Sequence, residues 1–189
     1  NAKYMLAKQI NSEIISKSKG HKLMSLDSTS KLNLIYLYFA SRFQDDLNKF
    51  NYMEYDLDNS LLALFNKKKT LRLDEYNLLI QSVNGHHGLA INNRKFYWNS
   101  IENYFEPINY DSNANISLGI QTGQVRLPIS DEFLKSFSSL KNKISDLEIK
   151  KLSNNLKISG LKINKKKIKK KLKQIITNIN QLDKNYSKL

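Results

Sequence analysis

The sequence predicts a mainly α-helical protein with one β-hairpin, an α+β fold. Leu and Ile recur at helical spacing along most of the chain, which is the pattern of amphipathic helices. The 189 residues include only six Gly and two Pro, and this composition favours helices over the many turns of an all-β fold. Two aromatic segments, residues 94–98 and 104–110, flank a short polar stretch and predict the hairpin.

Helices are predicted in the first third of the chain. Residues 3–17 carry apolar side chains at helical spacing, and residues 30–50 do so again after a polar segment with N-cap residue types. A short apolar patch follows at residues 61–65, and the lysine-rich residues 66–70 are predicted to form a turn.

The next helix is predicted over about residues 73–83. Asp74 and Glu75 suit its first turn, because acidic side chains there meet the positive end of the helix dipole. Asn84, followed by Gly, ends the helix, and a polar loop is predicted to continue to residue 93.

The hairpin is predicted to follow this loop. Its first strand, residues 94–98, reads RKFYW, and its return strand covers residues 104–110. Pro107 has no N–H to donate to a neighbouring strand, so the return strand is expected to be an edge strand or to carry a bulge.

The remaining chain is predicted to be irregular over residues 112–130 and helical from Asp131 onward, since Ser130 and Asp131 form a good helix start. The last helix has one apolar stripe, formed by Ile168, Leu172, Ile175, Ile176 and Ile179. We therefore predict a helical body with the hairpin over residues 1–130, and a helical C-terminal extension over residues 131–189.

The formal charge of +14 is concentrated at the C-terminal end. From residue 150 onward there are 13 Lys and one acidic residue, a net +12, whereas the preceding residues carry 18 basic and 16 acidic residues, a net +2. Seven lysines surround the apolar stripe of the last helix: Lys165, Lys166, Lys167, Lys169, Lys170, Lys171 and Lys173. These lysines form a solvated helix face, a surface for nucleic-acid phosphates, or a surface for anionic lipids.

Several classes of site and location are disfavoured by composition. Cys is absent, which excludes disulfides and Cys-ligated zinc, and three His without a zinc-binding spacing give no reason to expect zinc; nor is haem expected. No run of 18 apolar residues occurs, so no membrane-spanning helix is predicted. The chain begins with Asn1 and Ala2, and the expectation is a fragment of a longer protein. The oligomeric state is left open.

The order of elements around the hairpin predicts a site. A helix leads into a polar loop with Asn92 and Asn93, the hairpin follows, and Asp111 comes directly after it. Oxygen ligands of these types suit Mg²⁺, which takes few protein ligands and completes its shell with water and phosphate. The same residues also suit turns, and His86 with His87 also suits a solvated loop, so both interpretations stay open.

The stretch HHGLAINNRKFYWNSIENYFEPINYDSN, residues 86–113, resembles the catalytic segment of the CotH kinase family, whose members are atypical protein-kinase-like enzymes. The matching elements are the helix YNLLIQSV, the loop Asn, the aromatic strand RKFYW and the ending PINYD, within about residues 74–113. The resemblance implies the C-terminal lobe of a kinase-like fold and an ATP- and Mg²⁺-dependent transfer to a protein hydroxyl. It also favours a surface-associated or secreted location.

The resemblance carries over to individual residues. Asp111 matches the metal-binding Asp, and Asn92 or Asn93 matches the loop Asn that assists the metal. The catalytic-base position falls on His87, five residues before Asn92, or on Asn84. Of these two residues only His can act as a base. Asn84 is assigned to nucleotide binding. No acidic residue lies between Glu75 and Glu102, so the implied protein is a kinase or a pseudokinase. The alternative is a non-catalytic helical module whose basic last helix binds an acidic partner, nucleic acid or an anionic membrane.

Overall fold

A computed structural model describes six parts of the chain, namely residue 34 and residues 59–89, 94–99, 101–120, 129–161 and 163–188. The helices predicted over residues 3–17 and 30–50 lie outside these parts, apart from position 34, which is helical. Of the predicted site residues, Asn84, His87 and Asp111 are described, whereas Asn92 and Asn93 are not.

Two helices precede the hairpin. Helix α1 spans Asn59–Leu62, and helix α2 spans Lys67–Ser82. Asn66 is the N-cap of α2, and its side-chain oxygen accepts a hydrogen bond from the backbone N–H of Lys69 at 3.3 Å. This cap satisfies one of the backbone donors that a helix start leaves without an intrahelical partner.

The start of α2 corrects the predicted turn. The turn predicted at residues 66–70 is wrong, since the helix already begins at Lys67, six residues before the predicted start at residue 73. Lysines are disfavoured at the positive end of a helix dipole, and three of them at this end obscured the capping signal of Asn66.

Asp74 and Glu75 lie in the middle of α2 and are buried, so the prediction that they occupy a first turn is wrong. Asp74 accepts a hydrogen bond from the Asn59 side-chain amide at 2.7 Å. Glu75 accepts hydrogen bonds from Ser139 and from Lys143. Contacts with other helices, rather than the helix dipole, therefore stabilise these carboxylates.

The predicted hairpin is confirmed. Strand β1 spans Lys95–Asn99 and strand β2 spans Tyr104–Ile108, and the two pair in antiparallel fashion. Within the described residues they form a two-stranded sheet, so Pro107 lies on an edge strand as predicted. A short 3₁₀ helix, His86–Leu89, lies in the predicted loop before the hairpin.

Three helices form the C-terminal part of the chain. Helix α3 spans Asp131–Ser145, α4 spans Ile149–Ile158 and α5 spans Lys165–Tyr186. Ser130 caps α3, as predicted, by accepting a hydrogen bond from the Phe133 N–H at 3.0 Å.

The hydrophobic core lies between α2, α3 and α5. Its buried members are Leu78, Ile80, Val83, Leu89, Phe133, Phe137, Leu140, Ile144, Ile175, Ile179 and Leu182. The apolar stripe predicted for the last helix thus faces the core. Both sides of position 130, the predicted boundary between body and extension, contribute to this core.

A buried amide attaches α5 to the end of α2. Asn178 is fully buried, and its Nδ2 donates to the carbonyl oxygens of Ser82 at 2.7 Å and Leu118 at 2.9 Å. Its Oδ1 accepts a hydrogen bond from Gln174 at 2.9 Å. Polar groups are stable in a core only when hydrogen-bonded, and here both ends of the amide have partners.

The chain is therefore mainly helical with one antiparallel hairpin, the α+β class predicted from the sequence. None of the helices in the described parts combines the length and the apolar character that crossing a bilayer requires.

Candidate functional site

The candidate site begins where α2 ends. Asn84 has a φ of 56° and directly follows the C-cap residue of the helix. The N–H of Gly85 donates to the Ile80 carbonyl at 2.8 Å, and the N–H of Asn84 donates to the Gln81 carbonyl at 2.9 Å. These two bonds with a left-handed residue are the Schellman ending of a helix, and Asn adopts that conformation more readily than most residues.

The side chain of Asn84 fastens a loop to this helix end. Asn84 is buried, and its Nδ2 donates to the Gly119 carbonyl oxygen at 3.0 Å, with the Asn115 and Leu118 carbonyl oxygens at 3.4 and 3.5 Å. The predicted nucleotide-binding residue is therefore part of the packing around α2, and its role toward a nucleotide stays a prediction.

Two glycines allow the His86–Leu89 turn to pack closely on the segment after β2. A Cβ atom on Gly88 would lie 2.9 Å from Ser112 Cβ and 3.1 Å from the Tyr110 carbonyl oxygen. A Cβ atom on Gly85 would lie 3.3 Å from Ser112 Cβ. Since real Cβ atoms do not approach one another within 3.0 Å, Gly88 is required for the two segments to meet in this way.

This close approach brings two predicted site residues together. His87 Nε2 lies 3.3 Å from Asp111 Oδ2, and the two side chains are 49% and 51% exposed. Asp111 adopts a φ of 46°, a left-handed conformation that Asp tolerates better than most residues. The pair is thus held by backbone packing beneath it and remains accessible to a ligand from solvent.

The other predicted ligands, Asn92 and Asn93, lie outside the described residues. The loop that carries them is flanked by two buried residues, Leu89 and Arg94. Arg94 Nη2 donates to Asn77 Oδ1 on α2 at 3.1 Å, and its guanidinium lies 5.0 Å from the centre of the Phe96 ring. The loop is therefore anchored at both ends.

Sequence reasoning missed a group of buried polar residues around α2. Four of these residues form two hydrogen-bonded pairs. Asn59 donates to Asp74, Arg94 donates to Asn77, and all four are buried. The sequence did contain a signal for a polar contact surface on α2. Its polar residues Asp74, Asn77 and Gln81 are spaced so that they lie on one face of the helix.

The turn end of the hairpin carries groups with perturbed pKa values. Hydrogen bonds from Asn99 Nδ2 and Tyr104 Oη, both 2.8 Å long, lower the pKa of Glu106. Burial raises the pKa of Tyr104, and its hydrogen bond to Glu106 raises it further. A hydrogen bond with Tyr104 raises the pKa of Arg72. This cluster joins the hairpin to α2.

The binding of Mg²⁺ by Asp111 stays a prediction. Across the described parts of the chain, no group of three or more His, Cys, Asp or Glu side chains could hold a metal. Mg²⁺ commonly takes only one or two carboxylates and completes its shell with water and phosphate oxygens. A single half-exposed carboxylate such as Asp111 satisfies that requirement, whereas His87 is an unsuitable ligand for so hard a cation.

The basic surface of α5 lies on the other side of this helix from the core. Its members are Lys165, Lys166, Lys167, Lys169, Lys170, Lys171 and Lys173, and all but the half-buried Lys171 are exposed. Within the helix the only acidic residue is Asp183, which pairs with Lys141 at 3.2 Å. These lysines therefore have no acidic partner on their own helix.

No family model, curated protein or solved structure matches this chain. The likeness to the CotH kinase family thus rests on the residues between positions 74 and 113 and stays a prediction.

Proposed function

We propose that the His86–Leu89 turn and the segment after β2 form the metal- and phosphate-binding part of an ATP- and Mg²⁺-dependent phosphoryl-transfer site. The site would belong to a CotH-like protein kinase or pseudokinase, with a Ser, Thr or Tyr hydroxyl of a protein as acceptor. The observation that carries the proposal is the 3.3 Å distance between His87 Nε2 and Asp111 Oδ2.

Accessibility and backbone conformation support this proposal. Half of each side chain of the pair is exposed, so a phosphate group can reach both. Asp111 also has a positive φ, and residues held in such sparsely populated conformations cluster at functional sites. A carboxylate has two oxygens, so a contact of Oδ2 with His87 is compatible with metal coordination through Oδ1.

The two side chains have different tasks in this proposal. Asp111 supplies a ligand to Mg²⁺, and Asn92 or Asn93 adds an amide oxygen. The cation, when bound, neutralises charge on the phosphoryl group. His87 accepts the proton of the attacking hydroxyl, and the neighbouring carboxylate orients the imidazole ring for that step.

The test is the binding of Mg²⁺ with a non-hydrolysable ATP analogue to the protein, measured by calorimetry. Asp111→Asn removes the charge while keeping a residue that tolerates a positive φ, and we expect affinity to fall at least tenfold, about 1.4 kcal/mol. Asp146→Asn is the matched control, because Asp146 is an exposed carboxylate at the end of α3. Equal affinities for all three proteins would sink the proposal.

A second candidate function is the binding of a polyanion by the basic surface of α5. The exposure of its lysines, without acidic residues on the same stretch of helix, favours this function. Such binding depends on charge and weakens steeply with salt. Removing the chain after residue 150 is an unsuitable test, because α5 contributes Ile175, Ile179 and Asn178 to the core.

Charge-removing variants test the second candidate without removing the helix. We expect Lys169→Gln/Lys170→Gln/Lys173→Gln to weaken binding to heparin and to reduce its salt dependence. Asp111→Asn should leave heparin binding intact. Unchanged affinity of the triple variant would mean that the lysines only solvate the helix.

A further inference from the structure

The α4–α5 corner comprises residues 157–161 at the end of α4 and residues 163–167 at the start of α5. Gly160 follows the C-cap of α4 with a φ of 80°. The N–H of Leu161 donates to the Leu156 carbonyl at 2.8 Å, and the N–H of Gly160 donates to the Lys157 carbonyl at 3.0 Å. These two bonds form a Schellman ending, so the end of α4 has a defined shape.

Two apolar side chains project from this corner. Ile158 is 85% exposed and Leu161 is 51% exposed. In most Schellman endings the residue after the left-handed glycine packs back onto the helix. Here Leu161 remains half in solvent, beside an almost fully exposed Ile158. A pair of exposed apolar side chains on a structured turn marks a surface that another apolar phase can cover.

Lysines flank these apolar residues in the chain. The ten residues of the corner include four lysines and no acidic residue; the lysines are Lys157, Lys165, Lys166 and Lys167. Three of them begin α5, where cations oppose the helix dipole. Their charges therefore do not stabilise the helix and are available to an external anion.

We infer that the α4–α5 corner is a peripheral anchor for an anionic lipid bilayer. Ile158 and Leu161 enter the boundary between headgroups and acyl chains, while the lysines contact the lipid phosphates. Nucleic acid would satisfy the lysines alone and would leave the two apolar side chains in water. The electrostatic part of this inference rests on the second candidate function, whereas the apolar part does not.

The experiment is co-sedimentation of the 189-residue protein with vesicles of phosphatidylcholine containing about 30% phosphatidylserine, with pure phosphatidylcholine as reference. Ile158→Ser/Leu161→Ser removes the apolar pair without changing charge. Ile101→Ser is the matched control, since Ile101 is 94% exposed at the hairpin turn beside Glu102 rather than among lysines. Lys165→Gln/Lys166→Gln/Lys167→Gln tests the charge, and heparin binding is measured for every variant.

We expect binding to the anionic vesicles only. The apolar double variant should bind these vesicles about tenfold or more weakly and should bind heparin normally, while Ile101→Ser changes neither. The lysine variant should lose binding to the anionic vesicles and binding to heparin. Equal vesicle binding by the wild type and the apolar variant overturns the inference, as does equal binding to neutral and anionic vesicles. Heparin binding without any vesicle binding also overturns it and leaves the second candidate function standing.

Discussion

Asn178 Nδ2 donates a hydrogen bond to the carbonyl oxygen of Ser82 at 2.7 Å, and the two residues are 96 positions apart in the chain. The carbonyl groups in the last turn of a helix have no partner within the helix. Asn178 provides such a partner at the end of α2 and also holds the Leu118 carbonyl of the neighbouring loop. One buried side chain thus connects the last helix to the segment that carries the candidate site.

Asn178→Ala should destabilise the protein by about 2–4 kcal/mol, because it leaves buried carbonyl oxygens unpaired and opens a small cavity. Urea unfolding followed by circular dichroism measures the change. Asn180→Ala, at an exposed position of the same helix, is the control and should change stability little. Similar costs for the two variants would contradict the role given to Asn178.

Gly88→Ala should separate the His86–Leu89 turn from the segment after β2. The added methyl group would lie 2.9 Å from Ser112 Cβ, and relief of such a contact costs about 1–3 kcal/mol. We expect thermal unfolding to shift downward and the NMR signals of the His87 ring to move. Gly119→Ala is the control, because a Cβ atom there has no neighbour within 4 Å. If both variants behave alike, close packing at Gly88 does not position His87.

Lys143→Met should cost more stability than Lys141→Met. Lys143 Nζ lies 2.5 Å from a carboxylate oxygen of Glu75, which is only 8% exposed, whereas Lys141 pairs with the more exposed Asp183 at 3.2 Å. A buried carboxylate that loses its cation is strongly destabilised, while exposed pairs contribute about 0–1 kcal/mol. Because Lys143 itself is largely exposed, we expect a cost of about 1–2 kcal/mol. Adding Glu75→Gln to Lys143→Met should restore part of the lost free energy of unfolding, which chemical denaturation measures.

Asn99→Ala should raise the pKa of Glu106 toward its ordinary value, because the Asn99 side chain donates to its carboxylate. A carboxyl group whose pKa is lower in the folded than in the unfolded protein stabilises the fold above its unfolded pKa, and that contribution is lost as pH falls through the folded value. The variant should therefore have a smaller contribution of this kind, and its loss should be complete at a higher pH than in the wild type. NMR titration of the Glu106 carboxyl carbon measures the shift, and Tyr104→Phe should move it in the same direction. An unchanged pKa in both variants would exclude these hydrogen bonds as its cause.

Local signals in the sequence predicted much of the fold. Ser130 before an acidic pair marked the start of α3, aromatic density marked both strands, and the stripe from Ile168 to Ile179 marked the buried face of α5. Each of these signals depends on neighbouring residues alone. The left-handed Asn84 and the following Gly85 also marked the end of α2 correctly.

The missed features depend on contacts between distant residues. Nothing near Asp74 or Glu75 in the chain indicates that Asn59 and Lys143 will bind them. The burial of Asn178 is similarly set by the carbonyl groups it meets from α2 and its loop. For the site, the sequence predicted His87 and Asp111 separately, but their contact depends on the space that Gly88 leaves for Ser112.

The hydrogen bond between Ser82 and Asn178 also has a consequence for synthesis on the ribosome. Since the two residues are 96 positions apart and translation adds about 5–20 residues per second, α2 emerges roughly 5–20 s before α5 can cover it. During that interval the nascent chain exposes the apolar side chains of α2, the kind of surface that chaperones bind. Slower translation between these two residues would therefore lengthen the time for which this apolar surface is exposed.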